Sequence, residues 1–387
     1  MPDQTARSAD WRYVTVGDVV TLQRGFDITK AAQAEGPYPV ISSSGPTSTH
    51  AVFKVEGPGV VIGRKGVLGG VYFSEAPFWP HDTTLWVKDF HGNDPKFVYY
   101  WLSTLGLGRY DVGAANPTLN RNHAHLLPTA IPGRTTQRKI AAILSAYDDL
   151  IENNNRRIKL LEEMAQRVYR EWFVDFRYPG HEGDPTVESE VALMPTGWEI
   201  RPLGTTVENF DRLRRPLSGL ERSVRPGPFP YYGAAKVFDF IDDYLFDGTY
   251  LLVAEDGSVI TSDGSPVLQY VTGKFWANNH THILQGRDVS TEYLCLFLQE
   301  LSISGYVTGA AQPKITQANL NRIPCLVPDA AVRDRFDGLV KPMFDLIQSV
   351  QATSHALRAA RDLLLPRLVS GEIDVSDLYI DMWDLAA

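Results

Sequence analysis

Gly113-Ala114-Ala115-Asn116-Pro117 returns 196 residues later as Gly309-Ala310-Ala311-Gln312-Pro313. The same offset carries Pro128 onto Pro324 and Pro132 onto Pro328. It then runs without a gap into a stretch where Ile140 falls on Phe336, Leu150 on Leu346 and Ile151 on Ile347. Solenoid units repeat every ~20–50 residues, so a period this long marks a duplicated domain pair. Two similar modules on one chain can engage two similar targets at a fixed distance.

The repeat extends into helices. Between Thr135 and about Phe176 there is neither Pro nor Gly. Ile140, Leu144, Tyr147, Ile151, Asn154, Ile158, Leu161, Ala165, Val168 and Trp172 alternate spacings of four and three. That mean of 3.5 is the signature of a coiled-coil seam. The second copy supplies Phe336, Val340, Met343, Ile347, Val350, Ser354, Leu357, Arg361, Leu364 and Leu368, with two polar members. Two helices of roughly 55–60 Å at 1.5 Å per residue are too long to serve only as lids on their own domains, and they are expected to pair. Facing residues of an antiparallel pair have a constant index sum. A sum of 508 sets Ile140 opposite Leu368, Ile158 opposite Val350 and Trp172 opposite Phe336. It also sets Asn154 against Ser354, where each could satisfy the other's buried polar group.

The globular parts of the two copies read as mixed α/β. Trp11 opens the first and Trp198 the second. Short apolar runs bounded by turn formers, Tyr38-Pro39-Val40-Ile41, Gly59-Val60-Val61-Ile62 and Tyr250-Leu251-Leu252-Val253, predict buried strands. Phe78-Trp79 before His81-Asp82-Thr83-Thr84 matches Phe275-Trp276 before Asn278-Asn279-His280-Thr281. Tyr178 to Pro185 is a turn-rich linker, and the tail after Gly371 has Leu378, Tyr379 and Trp383 with which to dock.

Composition excludes several classes. The N-terminus lacks the apolar core of a signal peptide and no apolar run reaches the ~20 residues that span a bilayer, so a cytoplasmic protein without membrane contact is expected. Two cysteines, Cys295 and Cys325, are too few for a disulfide framework or a structural zinc site. The net charge of −9 does not suggest nucleic-acid binding, but affinity for DNA depends on where cations cluster. Local basic groups occur at Arg64-Lys65, at Arg134 with Arg138-Lys139, and at Arg212, Arg214, Arg215, Arg222 and Arg225.

Catalytic signatures are lacking. Gly63-Arg64-Lys65-Gly66 lacks P-loop spacing and reads as a strand running into a turn. Asn116-Pro117-Thr118-Leu119 lacks the second Pro and the aromatic of the motif that grips a flipped adenine in amino-methyltransferases. His280 and His282 lack further ligands at metal spacing and read as polar strand residues, so no metal is expected.

Taken together, the chain resembles the specificity subunit of type I restriction–modification enzymes. The resemblance rests on Gly113 to Pro132 and Gly309 to Pro328, on Gln137-Arg138-Lys139-Ile140, on Asp148 to Asn155, and on the helix ends Trp172 to Phe176 and Leu364 to Ile373. It implies an α+β fold with a pseudo-two-fold internal repeat: target recognition domains over 1–133 and 195–328, spacer helices over 134–178 and 329–371 packed as an antiparallel coiled coil, a linker over 179–194 and a tail over 372–387. It further implies that each domain reads one half of a bipartite, asymmetric double-stranded DNA target, with the helices setting the gap. No cofactor is expected on this chain. Two modification subunits would use S-adenosylmethionine to methylate adenine, and motor–nuclease restriction subunits would use ATP and Mg. Arg156, Arg157, Lys159 and Arg167, off the seam, are candidates for the modification-subunit contact. Base reading needs polar side chains at groove edges. The candidates are Ser42, Ser43, Ser44, Arg64, Lys65, Asn120, Arg121 and Asn122 in the first half. In the second they are Tyr232, Lys236, Glu255, Asp256, Asn279, His280, Lys314 and Gln317. Arg64-Lys65 fall roughly where Glu255-Asp256 fall, a reversal of charge. A stand-alone DNA-acting enzyme and a purely structural coiled-coil adaptor remain as other readings.

Overall fold

The computed structural model describes residues 10–110, 118–182, 186–188, 193–309 and 312–380. Gly113 to Pro117, Ala310-Ala311, Gly183 to Pro185 and Trp383, all used above, lie outside them. The chain divides into two units, one of Met1–Asn153 with Thr353–Ala387 and one of Asn154–Ala352. Each therefore holds one globular half and part of each long helix.

A two-stranded antiparallel ladder joins the beginning of each globular half to its end. In the first unit Arg12–Thr15 pairs with Pro128–Ile131, and in the second Glu199–Pro202 pairs with Pro324–Val327. Pro128 and Pro324, matched in the sequence, take the same place in their ladders, opposite Thr15 and Pro202. Each half also carries a ten-residue helix, Pro95–Thr104 or Thr291–Glu300, whose N-cap side chain (Asp94 or Ser290) accepts from the third helical N–H.

The sheets differ for a local reason. In the second unit six strands run in the order Val207–Asn209, Thr281–Gly286, Phe246–Ala254, Leu268–Ala277, Pro226–Tyr232 and Val237–Ile241. In the first unit this sheet is split. Thr21–Arg24, Thr84–Asp89, Gly59–Gly63 and Val71–Ser74 form one sheet, and Gly45–His50, Tyr38–Ser42 and Trp79–Pro80 another. The strand that stays whole as Leu268–Ala277 is interrupted between Ser74 and Trp79, where Pro77 has no N–H to give a ladder.

The long helices are Arg134–Tyr169, which continues into a single π-helical turn at Arg170–Val174, and Ala330–Val369. They pack against each other within each unit. All twenty seam positions named above are buried or half-buried. In the second unit the Trp172 and Phe336 rings lie 5.8 Å apart, and Phe336 also meets Phe173 at 4.8 Å and Tyr293 at 6.0 Å. Farther along, Glu162 and Ala165 share a cavity wall with Ile347 and Gln351, so one index falls as the other rises and the pairing is antiparallel. In the first unit Ile140, Leu144, Leu368 and Val369 share one apolar core with Val16, Trp101 and Ile131.

The seam's polar members depart from expectation. Ser354 Oγ is buried with no hydrogen-bond partner among the described residues, so the satisfaction expected from Asn154 is not made. The charge of Arg361 is met beside the seam, by Asp148 Oδ1 at 2.5 Å, while Tyr100 donates to Asp148 Oδ2 at 2.5 Å. The tail also docks differently. Leu378 and Tyr379 are exposed, and Val375, 1% exposed, packs into the core with Ile373 beside it.

Helix ends are held by aromatics. Gly371 takes a left-handed conformation after the second helix, and a Cβ there would meet the Trp11 ring. After the first helix the left-handed residue is Phe176, whose ring lies 5.7 Å from that of Trp198.

Replacing Ser354 with Ala removes a buried hydroxyl that makes no bond and is expected to stabilise the chain by about 1 kcal/mol. Phe336→Ala should cost about 3–5 kcal/mol. Urea denaturation of the full chain checks both, and a destabilising Ser354→Ala would contradict the unpartnered hydroxyl.

Candidate nucleic-acid interface

Backbone pairing draws distant residues of the first unit onto one surface. The Thr83 carbonyl accepts from Arg64 N at 2.9 Å and Lys65 N at 3.0 Å, and the Arg64 carbonyl accepts from Leu119 N at 3.0 Å. Ser43 N donates to Thr83 Oγ1 at 3.3 Å, and Lys65 bridges to Thr118. Ser42 to Ser44, Arg64-Lys65 and the Asn120–Asn122 turn are therefore neighbours, joined by His81, Asp82 and Thr83, which the sequence did not single out as a site. Arg24 is a further addition, with Nη2 2.7 Å from Asp82 Oδ2. Arg64 Nη1 donates to the Asp82 carbonyl at 3.5 Å. Burial alone would raise the Asp82 carboxyl, but the Arg24 hydrogen bond and the charges of His81, Arg24 and Lys65 hold it below its ordinary value. Burial, with the neighbouring Arg24, lowers the pKa of Arg64.

The second unit repeats the backbone and reverses the charges. The His280 carbonyl accepts from Glu255 N at 2.9 Å, as Thr83 accepts from Arg64. Asp256 bridges to Lys314, as Lys65 bridges to Thr118. Thr84 opposite Gly63 corresponds to Thr281 opposite Ala254, which makes His282 the counterpart of Leu85. Arg24 pairs with Leu85, and Asp211 meets His282. Arg64 and Lys65 are thus replaced by Glu255 and Asp256.

These acids are consumed internally. Glu255 Oε2 lies 2.6 Å from Arg214 and Oε1 3.0 Å from Lys314. Asp211 Oδ2 lies 2.6 Å from His282 Nδ1, and His282 Nε2 lies 3.0 Å from the Ile315 carbonyl. Both Asp256 oxygens lie within 2.9 Å of His280 Nδ1. Side chains left outward are Asn279 and His280, with Lys314 44% exposed.

Several candidates therefore have structural duties. Glu255 and Asp256 hold Lys314 and His280 in place. Asn120 caps the Arg121–His125 helix by accepting from Asn122 N at 2.9 Å, and Ser43 is buried. Ser42 and Ser44 share a hydroxyl contact at 3.0 Å. Tyr232 packs 5.6 Å from Phe275, and burial raises its hydroxyl pKa. Lys236, Arg121, Asn122 and Gln317 are exposed. His282 lies in a strand as read, whereas His280 precedes it. Of the basic group, Arg214, Arg222 and Arg225 are paired with Asp211 and Glu255, with Asp239, and with Asp242 and Asp243.

Two sets, Asp27 with His81 and Asp82, and Asp211 with Glu255 and His282, each bring three potential metal-ligand atoms within 4.8 Å. In the second set Arg214, Lys314 and His282 already engage the carboxylate oxygens, so a metal would have to displace cations. In the first set Asp82 already pairs with Arg24. Paired cations, amides and an imidazole thus recur on the two repeated sheets.

The model of the type I restriction modification DNA specificity domain matches residues 8–163 and 195–332, and the chain belongs to this family. It is a DNA specificity subunit of a type I restriction–modification system, a non-catalytic component. It is 24% identical over 310 residues to the type I restriction enzyme MjaIX specificity subunit of Methanocaldococcus jannaschii, covering 73% of this chain and 70% of that one. A 136-residue match to a putative type I restriction enzyme specificity subunit of Haemophilus influenzae reaches 32% identity, over 35% of this chain and 34% of the other. The fold matches the crystal structure of the type I system S subunit from M. genitalium with TM-score 0.64 at 16% identity, over 97% and 99% of the two chains. No helix among the described residues is long and apolar enough to cross a membrane.

Burial alone would raise Asp211 and Glu255, but their bonds to His282, Arg214 and Lys314 hold both below the ordinary 3.8 and 4.5. Carboxyls held down contribute stability present above their unfolded values and lost as pH falls through the folded ones. The second unit should therefore hold its stability from neutral pH to about 4.5 and lose it below. Glu255→Gln should cost about 2 kcal/mol at neutral pH and flatten the acid limb. Urea unfolding at stepped pH measures both, and an unchanged acid limb would contradict the network.

Proposed function

We propose that the two globular halves read the two parts of a bipartite, asymmetric double-stranded DNA sequence, with the paired helices setting the gap between them. The carrying observation is the repeated backbone pattern with reversed charge: Arg64 and Lys65 in one half against Glu255 and Asp256 in the other. Two readers on one backbone plan, with different polar faces, suit two different words. One DNA turn is ~34–36 Å, and the helices, 36 and 40 residues long, are each roughly 54–60 Å, which suits a gap between one and two turns.

On this reading residues 1–133 and 195–328 are the target recognition domains, 134–178 and 329–371 the spacers, 179–194 the linker and 372–387 the tail. The base-facing candidates become Arg64, Lys65, Arg121 and Asn122 in the first half and Lys236, Asn279, His280, Lys314 and Gln317 in the second. The chain itself brings no cofactor. It directs two modification subunits that use S-adenosylmethionine to methylate adenine, and motor–nuclease subunits that use ATP and Mg to translocate and cleave. Exposed Arg157, Lys159 and Arg167 on the first helix, with Arg156 beside them, are the proposed modification-subunit contact. The complex works on DNA in the cytoplasm.

Sequencing methylated adenines in DNA from cells that express the chain with its modification subunit tests this. A bipartite motif with unequal halves is expected, and a continuous palindrome would overturn the two-reader model.

A further inference from the structure

Among the described residues the reversal of charge leaves the exposed Lys65 and the half-buried Arg64 without a carboxylate within ion-pair distance. In the second unit Glu255 has the cations Arg214 and Lys314, Asp256 has His280 and Asp211 has His282. In the first unit Asp82 spends Oδ2 on Arg24 at 2.7 Å, and its Oδ1 lies 3.2 Å from His81 Nδ1. Arg64 is left with the Asp82 carbonyl at 3.5 Å and, among the described residues, no carboxylate within ion-pair distance. It is half-buried, and burial and Arg24 both work against its charge. Its backbone is pinned on both sides, by the Thr83 carbonyl and the Leu119 N–H. A recessed, fixed guanidinium short of acceptors is a donor fork awaiting a pair of them.

We propose that Arg64 reads a guanine of the first half-site through its major-groove edge, with Arg24 and Asp82 as positioning residues. The proposal rests on the two-reader reading. Guanine presents O6 and N7 side by side, the acceptor pair that fits a guanidinium fork. A phosphate would supply similar chemistry. The recessed placement of Arg64 favours the base, whereas Lys65 is exposed and the Arg24 side chain is 54% exposed, as suits the DNA backbone. The second half-site has no counterpart contact, because Glu255 stands in the place of Arg64 and is closed by Arg214 and Lys314.

The test uses the full chain assembled with its modification subunits and duplexes carrying the mapped motif. Each guanine in turn is replaced by 7-deazaguanine, which lacks N7. The wild-type complex should lose on the order of ten- to a hundredfold in affinity at a guanine of one half-site. Arg64→Ala should show that loss on unmodified DNA and no further loss on the modified duplex. If Arg64→Ala instead lowers the slope of log affinity against log salt by about one and stays sensitive to 7-deazaguanine, Arg64 contacts phosphate and the proposal falls. A wild-type complex that binds no specific site would overturn the two-reader reading and this assignment with it.

Discussion

Everything in this fold depends on an apolar seam that neither globular half can close without the long helices. The core of the first unit includes Leu368, Val369 and Val375, at 2%, 4% and 1% exposure, packed with Ile131, Ile140 and Trp101. The core of the second collects Ala165, Tyr169 and Trp172 from one helix and Phe336 and Val340 from the other. Burying a side chain of this size stabilises by about 1.5–3 kcal/mol, and native stability is about 5–15 kcal/mol in total. A handful of such residues therefore decides whether a unit folds. The ladders that tie each half's beginning to its end then deliver the chain to the helices at a fixed place.

With the frame settled by apolar packing, the polar faces are free to differ. Equivalent positions carry Arg64 and Glu255, Lys65 and Asp256 while the backbone bonds around them recur. A backbone bond does not depend on which side chain its residue carries, so reversal of charge leaves the sheet intact. Each face then neutralises itself according to its own neighbours. Buried acids need partners, and the second half provides Arg214, Lys314, His280 and His282, where the first, among the described residues, sets Asp82 beside its cations.

The sequence made the seam legible because periodicity is a property of residues at known spacing. Trp172 against Phe336 and the buried run from Ile140 to Leu368 follow from it. The prolines matched by the offset take equivalent places in the two closing ladders, which the spacing alone did not announce. What stayed hidden depends on three-dimensional neighbours. Whether Ser354 finds a partner turns on rotamers and distances that no spacing rule carries. Arg361 in an apolar register looked like a defect until Asp148 and Tyr100 supplied its surroundings. Glu255 looked like a reader because it aligned with Arg64, but alignment says nothing of what lies beneath, and Arg214 comes from a stretch 41 residues away. The split of the first sheet was signalled by Pro77, a residue whose missing N–H the strand reading did not weigh.

The composition of the two units also sets an order of events during synthesis. Domains generally fold as units while the chain emerges, N-terminal ones first. Here the unit that begins the chain also contains Thr353–Ala387, its end. The Asn154–Ala352 unit is complete once the ribosome has passed Ala352, before the last strip of the other core has been made. The first module to be translated is thus the last to be finished. A nascent chain truncated before Leu368 would carry a sealed second module and an open first one.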